Sequence, residues 1–215
     1  MKLVDLSHRI HDGLVTYPGL PPPAITDHLS RAASRAHYAP GTEFHIARID
    51  MIGNTGTYVD APSHRFEAMP DVAGLPLERL AALPGVVVRT QGRAIGPEAL
   101  ATGDVQGRAV LFDTGWDRHF GTPAYGKGHP FLTRAAAEAL RDRGVFLVGI
   151  DSLNVDDTAD GSRPVHTVLL QAGIPVVEHL TNLSALPATG FQLFAVPPRV
   201  SGMGSFPVRA FAMVS

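Results

Sequence analysis

The sequence predicts an α/β fold, one domain built around a mixed sheet. Three observations carry this expectation. Helical patterns alternate with short apolar runs in the second half, while the first half is richer in strand-like segments. Acidic residues stand at the carboxyl ends of two apolar runs, Asp151 after VFLVGI (145–150) and Glu178 after IPVV (174–177). The chain has 215 residues, enough for one sizeable core and short for two independent domains, so 1–215 reads as a single unit.

The elements follow in order. LVTYPGLPPPAITD (14–27) is Pro-rich and cannot be helix. FHIARIDMI (44–52) is extended in character, and Gly53 and Gly56 after it allow sharp turns. LPLERLAAL (75–83) has helical spacing and stops at Pro84-Gly85, before a short strand VVVR (86–89). GPEALA (96–101) places Pro97 at a first helical position, and AVLFDTG (109–115) is a buried strand with a polar turn. TRAAAEALRDRG (133–144) is a helix with Thr133 as N-cap and Gly144 past its end. The run from His166 to Gly173 is a second, shorter helix; FQLFAV (191–196) and PVRAFAMV (207–214) are closing strands.

Composition excludes several functions. Net charge is −2 from 18 basic and 20 acidic residues, which gives no nucleic-acid surface. No apolar run approaches the roughly 20 residues that span a bilayer. MKLVDLSHRI lacks the apolar core of a signal peptide, so a cytoplasmic location is expected. Cysteine is absent, so any metal must be held by nitrogen and oxygen. Ten histidines supply candidate ligands and near-neutral acid/base groups.

The densest chemistry lies in NTGTYVDAPSHRF (54–66). Asp60 and His64 are four apart with Pro62 between them, so a turn can bring both to one place. The plainer alternative is a carboxylate capping a turn beside a surface histidine. His166 opens a helix and Glu178 ends the next strand, so both can reach one edge of the sheet. Two carboxylates and two imidazoles make a first shell for zinc or manganese. The alternatives are a carboxylate paired with arginine and an ordinary first-turn histidine. Trp116, in Asp113-Thr-Gly-Trp116, and Tyr17, in Tyr17-Pro-Gly19, read either as aromatic walls of a substrate pocket or as structural residues. DSLNVDD (151–157) reads as a loop with capping acids.

Together these segments resemble the cyclase family, which includes bacterial kynurenine formamidases. The family signature His-x-Gly-Thr-His-x-Asp-x-Pro-x-His is matched by Asn54-Thr-Gly-Thr-Tyr58-Val-Asp60-Ala-Pro-Ser-His64. The resemblance continues through DLSHRIHDG (5–13), LPLERL (75–80), DTGW (113–116), LVGIDS (147–152), PVHTVLLQAGIPVVEHLTNL (164–183) and SFPVRAFA (205–212). It implies a swivelling β/β/α-type fold, a homodimer or higher homo-oligomer, and a metal-centred hydrolytic site. It also implies Asp60, His166 and Glu178 as ligands of one divalent metal, with His64 as acid/base.

The chain departs from the signature where Asn54 and Tyr58 replace the first two histidines. An amide oxygen suits harder ions, and a phenol ligates well only as phenolate, with an ordinary pKa of about 10. One metal therefore remains, with Tyr58 as a second acid/base candidate and Asn54 as a substrate-binding one. The leading expectation is hydrolysis of a small amide, formamide or lactone. A cyclase, dehydratase or isomerase using His64 and Tyr58, with or without metal, is the second. A non-catalytic small-molecule binding relative is the third.

Overall fold

The computed structural model describes residues 1–100 and 103–214. Its strands are β1 (Lys2–Asp5), β2 (Ala24–Leu29), β3 (Ile46–Asp50), β4 (Tyr58–Asp60), β5 (Leu83–Arg89), β6 (Ala94–Ile95) and β7 (Ala109–Asp113). They continue with β8 (Phe131–Leu132), β9 (Leu147–Ile150), β10 (Val176–Glu178), β11 (Phe191–Phe194), β12 (Ser205–Pro207) and β13 (Phe211–Val214). The helices are α1 (Arg31–Ser34), α2 (Arg134–Asp142) and α3 (Pro164–Gln171).

Nine strands form one mixed sheet in the order β1-β13-β11-β5-β7-β9-β10-β4-β12. The four central strands β5, β7, β9 and β10 are parallel, and the strands on either side of them are antiparallel. Parallel neighbours need crossovers, and α2 and α3 supply those into β9 and β10. The central strands are apolar on both faces, as doubly covered strands must be. Val110 and Phe112 of β7 pack into the cluster under α2 and α3 with Leu140, Val148 and Leu169. Ala109 and Leu111 point the other way, into a cluster with Val59, Leu147, Val177 and Leu180. The alternation along β7 is the period-two rule of a pleated strand.

α2 forms as its ends dictate: Thr133 caps it through the Ala136 amide, and Gly144 follows at φ +69°. The structure corrects the expected helix at 75–83. That segment makes only a 3₁₀ turn, Leu77–Arg79, and β5 begins at Leu83, running through Pro84 and Gly85. Pro76 fixes an extended entry at ψ 136°, and pairing of Leu83 and Pro84 with β11 outweighs a weak helical pattern. Gly85 is needed within the strand because a Cβ there would lie 2.0 Å from the Phe191 ring. GPEALA also forms only a 3₁₀ turn, Pro97–Leu100, and Ala101 lies outside the described residues. The closing segment 207–214 is not one strand: Pro207 ends β12, at one edge of the sheet, and Phe211–Val214 form β13, next to the opposite edge between β1 and β11.

Candidate active site

Antiparallel pairing gathers the site. Tyr58 of β4 lies opposite both Glu178 of β10 and Pro207 of β12, and Asp60 lies opposite Val176 and Ser205. Residues directly opposite share a face, and so do residues two apart along a strand. Tyr58, Asp60, Glu178 and Ser205 therefore project to one side. After β4 the chain turns through the 3₁₀ segment Pro62–His64, which swings His64 back over Asp60, Nδ1 to Oδ1 3.9 Å. The strand at 58–60 is an element that the turn-rich sequence obscured. Close backbone approach seats His64: a Cβ on Gly204 would lie 2.7 Å from the His64 Cα.

His166 reaches the same point from α3. The residue before this helix, Arg163, makes no side-chain cap, and Pro164 has no N–H to satisfy. Asp156 takes over the capping, accepting from the Val165 amide at 2.6 Å and the His166 amide at 3.1 Å. The same carboxylate lies 2.6 Å from His166 Nδ1 and so fixes the ring. Nε2 is thereby aimed at Asp60 Oδ2, 3.4 Å away, and at Glu178 Oε1, 3.6 Å away. One ligand atom from each of Asp60, His64 and His166 lies within 4.8 Å of the others. Glu178 adjoins this trio through His166, with its Oε2 accepting from Tyr58 OH at 2.6 Å and Oε1 from the Val155 amide at 2.8 Å.

The electrostatics are those of a cation site. His166 is buried, which disfavours its charge, yet Asp156, Asp60 and Glu178 raise its pKa to about 10. Burial pushes Asp60 up, but the His64 and His166 imidazoles and the Ser205 hydroxyl outweigh it and leave the carboxyl below its ordinary value. Glu178 is pushed up to about 7, first by burial and further by Asp60, against the pull of His166. Three carboxylates around one imidazole hold a proton tightly when no other cation is present. A carboxylate–histidine pair aimed at further carboxylates is the arrangement that orients a metal-binding imidazole. The donor set fits a divalent metal taking nitrogen and oxygen ligands.

The other expected residues are placed differently. Asn54 Nδ2 donates to Ser205 Oγ at 3.3 Å, so it braces the Asp60–His64 side of the site. Tyr58 is 2% exposed, and its hydroxyl faces Glu178 and His179. Trp116 donates its indole N–H to the Tyr125 carbonyl at 2.9 Å and lies against His119. Tyr17 is half-buried, which raises its phenol pKa, and Arg163 and Glu178 act on it electrostatically. His64 opens onto a surface depression of about 650 Å³ bordered by Ser63, Arg65, Glu67 and Met69. Asp156 is one of the capping acids expected in 151–157, but its hold on the His166 ring was not foreseen, and Ser205, His179 and Tyr125 were passed over. Asp156 alone left a signal, a carboxylate in a turn eight residues before a helix whose own N-cap position holds arginine.

Comparison with known proteins agrees with the fold. The Cyclase family model, described as "Putative cyclase", matches residues 4–157. The kynurenine formamidase of Geobacillus thermodenitrificans (strain NG80-2) is 29% identical over 210 residues, covering 96% of this chain and 95% of that protein. That of Salinibacter ruber (strain DSM 13855 / M31) is 28% identical over 212 residues, covering 98% and 96%. A solved structure described as a potential metal-dependent hydrolase with cyclase activity superposes with a TM-score of 0.81 at 27% identity, covering 98% of this chain and 96% of that one. Isatin hydrolase A from Labrenzia aggregata shares the fold, with a TM-score of 0.84 at 24% identity over 99% of this chain and 93% of that one. With most of its length matched by the family model, the chain belongs to the cyclase family.

Proposed function

We propose that this protein is a single-domain, metal-dependent hydrolase of a small amide, formamide or lactone, acting on C–N bonds other than peptide bonds and using one divalent metal. The observation that carries this reading is the convergence of Asp60, His64 and His166 on one point beside Glu178. Similarity to two kynurenine formamidases makes an aryl formamide the first substrate to try. Asp60, His166 and Glu178 would hold zinc or manganese. Such an ion polarises a carbonyl and lowers the pKa of bound water when present.

The protein's own groups define the proton path. Asp60 accepts from the Ser205 hydroxyl, and Ser205 Oγ lies 2.9 Å from His64 Nδ1. The one hydroxyl proton is directed to Asp60, so Ser205 accepts from His64 Nδ1–H. His64 Nε2 then carries the free lone pair, on the side chain that is 37% exposed. It takes a proton from the attacking water and returns it to the leaving nitrogen. Asn54 steadies Ser205 and thus the tautomer of His64. Tyr58 has its hydroxyl proton engaged by Glu178 and is buried, which favours His64 as the group that moves protons and counts against a metal-free reaction shared by His64 and Tyr58. Trp116 and Tyr17 border the approach for substrate in this reading.

Among the described residues no helix is long and apolar enough to cross a membrane. A cytoplasmic homodimer or larger homo-oligomer fits this proposal. The β2–β3 ribbon carries exposed Ile25, Ile46 and Ile49, which offer apolar surface for association. Hydrolysis of an aryl formamide, a cyclic amide and a lactone, each with and without prior chelation, tests the function. Turnover that chelation removes and zinc or manganese restores is expected. Full turnover by rigorously metal-free protein would contradict the mechanism.

A further inference from the structure

Tyr58 stands where the family signature has a histidine, and its hydroxyl begins a chain of buried polar groups leading away from the His64 pocket. Tyr58 OH is 2.6 Å from Glu178 Oε2, and His179 Nε2 is 3.3 Å from Tyr58 OH. His179 Nδ1 is 2.9 Å from Tyr125 OH. The His179 ring is fully buried among Tyr58, Tyr125 and Phe120. Its backbone adopts φ +56°, uncommon without glycine, and its carbonyl is held by Thr57 Oγ1 at 2.6 Å. Trp116 in turn anchors the Tyr125 backbone.

Proton counting orders the whole chain from one end. Glu178 already accepts from the Val155 amide on Oε1 and from the Asn154 amide, at 3.4 Å, on Oε2. When Glu178 is ionised its carboxylate only accepts, so Tyr58 then donates its single proton to Glu178. Its oxygen is left to accept, and His179 must supply Nε2–H. A neutral imidazole with Nε2–H has a bare Nδ1, so Tyr125 must donate there.

We infer that His179 and Tyr125 are positioning residues: with Tyr58 they form a one-way hydrogen-bond chain that fixes the Glu178 carboxylate with Oε1 turned toward His166. The carboxylate then needs no second ion beside it, because neutral donors occupy its outer oxygen. The orientation of Glu178 toward a metal rests on the function proposed above; the order of the chain rests only on Glu178 being ionised.

Two measurements separate these parts. The first is a long-range proton–nitrogen spectrum of the full-length protein labelled at histidine, recorded well above the Glu178 pKa of about 7 so that the carboxyl is ionised, with His179→Phe used to assign the signal. A single Nε2–H tautomer at His179 is expected, turning into a mixture in Tyr125→Phe. An Nδ1–H tautomer in the unmodified protein would overturn the chain. The second is manganese(II) binding, followed by loss of the free-ion paramagnetic signal. Tyr125→Phe, which removes one oxygen and keeps the ring, is expected to weaken binding about 10-fold, the lower end of what groups behind metal ligands contribute. His179→Phe should weaken it at least as much. Binding unchanged in both variants would remove the positioning role even with the tautomer as expected. If the unmodified protein binds neither manganese nor zinc, the metal reading falls, and the tautomer alone decides the chain.

Discussion

His166 and His179 are both buried, both use both ring nitrogens, and both lie within reach of Glu178's surroundings, yet one favours the charged form and the other the neutral form. His166 faces Asp60, Asp156, Glu178 and His64, and its pKa rises to about 10. His179 faces Tyr58, Tyr125 and Phe120, and burial lowers its pKa to about 3, with His8 adding to the effect. The same ring at the same depth becomes a cation or a neutral relay according to its partners. Burial alone favours the neutral form in both; carboxylates reverse it at one. One half of the site is thus an ionised centre suited to a cation. The other half, where the family signature expects histidines, is filled by neutral donors.

The largest effect should come from breaking the ionised half. His166→Leu leaves three carboxylates without their imidazole. It should destabilise metal-free protein by about 3–5 kcal/mol in urea unfolding at neutral pH, as removal of one partner of a buried pair does. A loss under about 1 kcal/mol, of the order of an exposed pair, would show that the centre is far more solvated than its geometry indicates. Next is Asp156→Asn, which keeps shape but removes the carboxylate behind His166. Metal affinity should fall about 10–100-fold, read by competition with a chromogenic chelator. Equal affinity would mean that His166 is oriented by α3 alone.

The two histidines should also pull stability in opposite directions with pH in metal-free protein. Folded His166 keeps its proton up to about 10, against 6.5 unfolded. Its contribution is complete below 6.5 and is lost as pH rises toward 10. Folded His179 stays neutral down to about 3, so the unfolded chain binds the extra proton between 6.5 and 3 and stability falls as pH falls. His179→Asn should flatten the acid side of a chemical-denaturation pH series by up to about one proton, leaving the alkaline side to His166. An unchanged acid side would remove His179 from that account.

A smaller, more local effect is expected at Gly204. Gly204→Ala drives a methyl group against the His64 backbone. Turnover should fall several-fold, an order-of-magnitude expectation for a slightly misplaced acid/base group, with metal content kept. Loss of metal together with turnover would place His64 among the ligands.

Much of this was legible in the sequence because local rules dominate there. Thr133 and Gly144 bound α2, and the apolar run before Asp151 is a central strand. Asp60, His64, His166 and Glu178 stood out as chemistry at element ends; strand pairing joins Asp60 and Glu178, and the turn after β4 and α3 bring His64 and His166 to them. The rest depends on partners distant in sequence. Pairing with β11 turns the end of 75–83 into strand, and pairing with β10 and β12 makes a buried strand of 58–60. Ser205 is 145 residues from Asp60, and Tyr125 is 54 from His179, so no local pattern could join them.

The central claim is that one half of the site holds a cation and the other half replaces one. Metal content per chain, by elemental mass spectrometry on untagged protein purified without chelator, tests it most directly. About one equivalent of zinc or manganese, lost in Asp60→Asn, is the result this account expects. Two equivalents would mean that Asn54 and Tyr58 ligate after all, and none, even after incubation with either ion, would mean that the carboxylates around His166 hold only its proton.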